Sequence, residues 1–236
     1  MSPVNTNNLI LRMQGSPNLG EPYRFLPSEE QLASIIQRVS DYNWHEMPND
    51  GGWDYGTNLS YLKELCDYWV NEFNWWDHQA KLDRFSHYQT EVDEIETHYI
   101  FQKGSGSNAT PLLISHGWPG SICEFLDIIE PLAHPERFGG SVDDAFDVIA
   151  PSLPGFGFSG RPPRPMGPRA IANHLNTLMT EHLGYNSYMA QGGDWGAAIS
   201  SWLGFDHSKQ CKALHINFLT MRHARGPQTI EETKWA

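Results

Sequence analysis

The spacing of apolar residues changes along this chain, and each change predicts a different kind of element. Between Pro27 and Tyr42, Leu32, Ile35, Ile36 and Val39 recur every three to four positions, which places them on one face of a helix. Ser28, ahead of Glu29 and Glu30, reads as its N-cap. A second helix is expected from Asn58 to Phe73, with Leu62, Leu65, Trp69 and Phe73 on one stripe. Trp44, Trp53, Tyr55, Trp75 and Trp76 lie between and beyond these helices, and read as large side chains filling an irregular meander against a core. From Phe85 the period falls to two. Phe85–Val92 and Ile95–Phe101, joined at Asp93-Glu94, predict a hairpin. Short apolar runs follow at Pro111–Ser115, Phe146–Ala150, Tyr188–Gln191 and Ala213–Phe218, separated by helical stretches at Ser121–Leu132, Pro168–Leu183 and Trp195–Phe205. Strands alternating with helices imply the α/β class, with a doubly wound, mostly parallel sheet. The expected organisation is a meander over residues 1–84, an α/β core over 85–218 and a further excursion beginning at 219.

Composition and charge narrow the partners. With 236 residues, 39% hydrophobic, there is enough chain for one large domain or two modest ones. Lys plus Arg number 16 against 28 Asp plus Glu, a net charge of −12, which repels phosphate backbones and anionic lipid. Neither nucleic acid nor a membrane is an expected partner. Cys66, Cys123 and Cys211 form no C-x-x-C pair and read as buried small hydrophobes in a reducing compartment. The apolar patch Leu9–Met13 is too short for a signal or an anchor, so a cytoplasmic location is expected. No metal or organic cofactor is suggested.

The chemistry concentrates in three loops. Gly192-Gly193-Asp194-Trp195-Gly196 lies between a predicted strand and a predicted helix, in the small-x-nucleophile-x-small pattern of a nucleophile elbow. The central residue is aspartate. A carboxylate there can displace at a saturated carbon and leave an ester for water to cleave, and the N-terminal end of the next helix favours its negative charge. The ordinary alternative is an aspartate capping that helix. His116-Gly117-Trp118-Pro119-Gly120-Ser121 follows the strand Pro111–Ser115, where the backbone N–H of Trp118, with that of Trp195, would form an oxyanion hole. His116, Gly117, Pro119 and Gly193 complete the expected site loops, and Trp118-Pro119 is a candidate cis peptide. Gly155, Gly157 and Gly160 spell G-x-G-x-x-G, but Arg161-Pro162-Pro163-Arg164-Pro165 forbids the helix that dinucleotide binding needs, so a rim loop is expected.

HGWPGS, DVIAPSLPGFGFSG (Asp147–Gly160) and AQGGDWG (Ala190–Gly196) together resemble the epoxide hydrolases of the α/β-hydrolase superfamily. Upstream, residues 24–101, including WDYG at Trp53–Gly56 and YLKEL at Tyr61–Leu65, look like the N-terminal meander of the microsomal-type and fungal soluble branch. The resemblance implies that the elbow aspartate opens an epoxide into an alkyl-enzyme ester while two cap-domain tyrosines hydrogen-bond the departing oxygen. A histidine oriented by an acid then activates water, releasing a vicinal diol. An epoxide and water are the implied partners, with a homodimer compatible. The cap, the acid and the histidine are expected downstream, yet only Leu219–Ala236 follows Phe218 and no tyrosine follows Tyr188. His207, His215 and His223 read as structural or solvated, and Pro227–Ala236 resembles the start of a cap excursion, so the chain is expected to be C-terminally truncated. Two alternatives stand beside this reading. One is a haloalkane dehalogenase, which also pairs an elbow aspartate with tryptophan; the other is a non-catalytic, cap-less binding module.

Overall fold

The computed structural model describes residues 17–46, 52–219 and 229–235. They fall into two compact units, one within residues 24–84 and one that joins the segment before Arg24 to residues from Phe85 onward.

In the larger unit, strands β1 (Glu21–Pro22), β2 (Ser86–Val92), β3 (Ile95–Gln102), β4 (Thr110–Ser115), β5 (Phe146–Pro151), β6 (Tyr188–Gly192) and β7 (Cys211–Ile216) form one sheet, ordered β1-β2-β3-β5-β4-β6-β7. β5, β4, β6 and β7 run parallel, while β1, β2 and β3 add an antiparallel edge. The predicted hairpin turns at Asp93 and Glu94, both in the left-handed region (φ 47 and 64) that a tight two-residue turn demands. β1 escapes a periodicity reading because two residues carry no period, and its pairing with β2 brings residues before Arg24 into the sheet.

Two helices cover one face of the sheet: α5 (Pro168–Thr177), which runs on as a π turn through Leu178–His182, and α6 (Trp195–Asp206). Leu113, Ile149, Leu175, Leu178, Ile199 and Leu203 meet there with almost no exposed surface. Strand side chains alternate between faces, so Leu112 and Ile114 point the other way. Beside α4 (Ile129–Ala133) they line an open apolar groove of about 520 Å³ with Met189 and Leu214. The helix expected over Ser121–Leu132 is broken: Ile122–Phe125 is a 3-10 turn and α4 starts at Ile129, with Pro131 tolerated because it lies in the first turn. Cys211 is buried, which raises its thiol to about 11. Cys123 corrects the expectation of burial, since it faces solvent from the 3-10 turn.

In the smaller unit, α1 (Glu29–Ser40) starts at a capping box, with Ser28 Oγ accepting from Gln31 N at 3.1 Å and the Gln31 side chain accepting from Ser28 N at 2.8 Å. Asn58 caps α2 (Leu59–Asn71). α3 (Trp75–Leu82) occupies part of the expected irregular stretch, its start fixed by the Asn74 side chain accepting from Trp76 N at 3.1 Å. The expectation that the aromatics fill a core is overturned. Trp53 and Tyr55 are 64% and 68% exposed, and neither α1 nor α2 buries a residue. Ile35, Val39, Leu62, Cys66 and Trp69 instead line a groove of about 690 Å³.

Candidate active site

The site lies at the C-terminal ends of β4 and β6, which pair in parallel with Ser115 opposite Gly192. The chain leaves β4 toward β5 on one side and returns to β6 on the other, and this reversal opens a crevice beyond the strand ends. β6 ends at Gly192 and α6 begins at Trp195, so Gly193 and Asp194 make the whole turn. Asp194 adopts φ 48, ψ −121, a strained backbone for a residue other than glycine, costing on the order of 1–3 kcal/mol. The neighbouring glycines are a steric requirement. A Cβ on Gly192 would fall on the backbone of Gly196, and one on Gly196 would fall on the Ser115 carbonyl.

Asp194 occupies the N-cap position, yet its carboxylate makes no capping bond to α6. It is exposed, and Oδ1 instead accepts a hydrogen bond from the Trp118 backbone N–H at 2.8 Å. Trp195 is the first residue of α6, so its N–H is one of the donors that a helix start leaves without an internal partner. The structure thus brings the carboxylate, the Trp118 N–H and the start of α6 to one point. Trp118 and Pro119 are joined by a cis peptide, and a Cβ on Gly117 would press on the Asp194 side chain.

His116, expected in the site loop, is buried beneath it and only 1% exposed. Its Nδ1 bonds the Gly117 carbonyl at 2.9 Å and its Nε2 accepts from Leu153 N at 3.1 Å. Burial lowers its pKa, against opposing pulls from the Gly117 carbonyl and the Glu124 carboxylate. The loop after β5 makes a turn closed by Gly155 N to Gly160 O at 2.9 Å, and Gly155 and Gly157 both have positive φ; the next helix begins only at Pro168. Ser152 Oγ in this loop meets His98 Nδ1 at 2.9 Å, and His87 Nδ1 meets His98 Nε2 at 2.9 Å. Desolvation, with His87 adding a smaller push, lowers His98 to about 3. The His98–Ser152 pair and Asn217, whose side chain sits where a Gly193 Cβ would go, had no signal in the sequence.

Of the downstream histidines, His207 and His215 are engaged elsewhere. His207 is the C-cap of α6, about 20 Å from Asp194 at 1.5 Å per helical residue, and bonds Asn173 at 2.8 Å. His215 lines the groove beside α4, and His223 lies outside the described residues. Of the region expected to begin a cap excursion, Ile230–Trp235 forms a short helix, α7. Among the described residues, no group of His, Cys, Asp or Glu is arranged to hold a metal ion, and no helix is long and apolar enough to cross a membrane.

Known proteins share both units. Residues 20–125 match the family model described as epoxide hydrolase N terminus, and residues 110–218 match the alpha/beta hydrolase fold. The chain belongs to the epoxide hydrolase family. Pig epoxide hydrolase 1 (Sus scrofa) is 33% identical over 200 residues, covering 83% of this chain and 44% of the pig protein. Among solved structures, the Aspergillus niger epoxide hydrolase superposes with a TM-score of 0.81 at 28% identity, covering 94% of this chain and 58% of that one. The juvenile hormone epoxide hydrolase of the silkworm Bombyx mori superposes at 0.78 and 27% identity, covering 89% and 50%. This chain spans about half the length of the relatives it matches.

Proposed function

We propose that this chain carries the ester-forming half of an epoxide hydrolase, with Asp194 as nucleophile and the Trp118 and Trp195 N–H groups as its oxyanion hole. The observation that carries the reading is the Asp194 carboxylate held by the Trp118 N–H on a strained elbow instead of capping α6. Oδ1 is the oxygen so held, which leaves Oδ2 to attack. Oδ2 forms a bond to one ring carbon, that carbon's bond to the epoxide oxygen breaks, and the oxygen keeps the electron pair and takes a proton from solvent. The product is a 2-hydroxyalkyl ester of Asp194. Water added to the ester carbonyl would place negative charge on the oxygen facing Trp118 and Trp195, and collapse would release the vicinal diol and restore the carboxylate. An epoxide and water are the partners in this scheme.

A haloalkane dehalogenase would share the elbow chemistry, but the N-terminal match over residues 20–125 favours epoxides. Styrene oxide incubated with an equimolar amount of protein should be consumed in stoichiometric amount, and D194N should slow that consumption at least about 10³-fold. Chloride release from 1-chlorobutane with the epoxide left untouched would put the dehalogenase in its place, and loss of neither substrate would support a binding module.

A further inference from the structure

The Gly117 carbonyl and the Trp118 N–H belong to one peptide group, and that group is gripped from both sides. Its N–H donates to Asp194 Oδ1 at 2.8 Å, while its carbonyl lies 2.9 Å from His116 Nδ1 and also accepts from Gly120 N at 3.1 Å. The other ring nitrogen, His116 Nε2, meets Leu153 N at 3.1 Å. A main-chain N–H can only donate, so Nε2 carries the lone pair and Nδ1 carries the proton, which goes to the Gly117 carbonyl. The tautomer is fixed by what the ring touches. Leu153 is itself buried, and the residue before it is tied to β3 through Ser152 N to His98 O at 2.9 Å. Phe156 packs edge-on against the imidazole, with ring centroids 5.7 Å apart.

We propose that His116 is a positioning residue for the reaction at Asp194: its neutral, Nδ1-protonated ring orients and polarises the Gly117–Trp118 peptide so that the Trp118 N–H binds the carboxylate and the negative oxygen that later forms on it. His116 touches neither substrate nor the reacting atoms. Donation into a carbonyl draws electron density from the N–H at the other end of the same peptide, so the two hydrogen bonds reinforce one another. The proposal rests on the nucleophile assignment above.

Two substitutions separate this role from simple anchoring of the loop. H116N retains a donor near the Nδ1 position and loses the acceptor for Leu153. H116Q reaches the Nε2 position with an acceptor and loses the donor to Gly117. The rate of ester formation with styrene oxide, followed by intact mass, should stay within about threefold of wild type in H116N and fall at least about tenfold in H116Q. The 1H–15N resonance of the Trp118 amide should move in H116Q and hold in H116N. The reverse order, with H116Q preserved and H116N impaired, would overturn the proposal in favour of loop anchoring, and so would two variants indistinguishable from wild type. Long-range 1H–15N spectra of the unmutated protein give a check that needs no variant: Nδ1 must carry the proton, and a protonated Nε2 would overturn the clamp. If wild type forms no ester, the nucleophile reading fails while the ring and amide spectra still decide whether the clamp exists.

Discussion

Helices α1 and α5 carry apolar stripes of the same period, but only one stripe is covered. α5 buries Ile171, Ala172 and Leu175 against the sheet, whereas α1 buries nothing and turns Ile35 and Val39 toward the groove it shares with residues of α2. A helical stripe states that a face needs cover. Whether the cover is present depends on a partner, which for α5 is a seven-stranded sheet assembled from distant segments and for α1 is only another short amphipathic helix.

The sharpest way to break this contrast is a pair of truncations. Leu175→Ala should destabilise the protein by about 3 kcal/mol, since it opens a cavity in a close-packed core. Ile35→Ala, at a side chain already 41% exposed, should cost less than about 1 kcal/mol in the same urea unfolding experiment. Equal costs would mean that the α1–α2 groove is covered in solution.

The second effect is pH-dependent and belongs to the larger unit. His98 is held near 3 by burial, below its ordinary value of 6.5, so the unfolded chain binds the extra proton first. Stability must therefore fall as pH drops below about 6.5 and level off near the folded value, a loss of about 2 kcal/mol by pH 5. H98Q should remove that part of the difference between unfolding at pH 7.5 and pH 5, and an unchanged difference would show that His98 is not the group responsible.

The smallest effect returns to α1. Ser28→Ala removes the acceptor for the Gln31 N–H and should cost about 1 kcal/mol, read as reduced helicity and a lower melting point of residues 24–84. No change would show that this helix end is already frayed in solution.

Local rules account well for what was legible in the sequence. Ser28 and its neighbours announced α1, Asp93-Glu94 announced the hairpin, and the alternating runs from Phe85 announced strands, because cap, turn and pleat chemistry act within a few residues. The elbow was legible for the same reason, since its glycines and Asp194 are adjacent in sequence. Distant contacts were not. Neither the Leu153 N–H on His116 nor Asn217 beside Gly193 leaves a local trace, and the exposure of Trp53 and Tyr55 depends on what packs against them, which composition does not report. α3 was hidden because its aromatic residues suggested irregular packing, although Asn74 supplied a cap.

If Asp194 is the nucleophile, its carboxylate must itself become bonded to the epoxide carbon. Peptide mapping of the chain after exposure to styrene oxide tests it most directly. The peptide containing Asp194 should gain the full mass of one epoxide through an ester that mild base removes, and D194N should gain none. An adduct on a cysteine or histidine alone, or an adduct that persists undiminished in D194N, would contradict it.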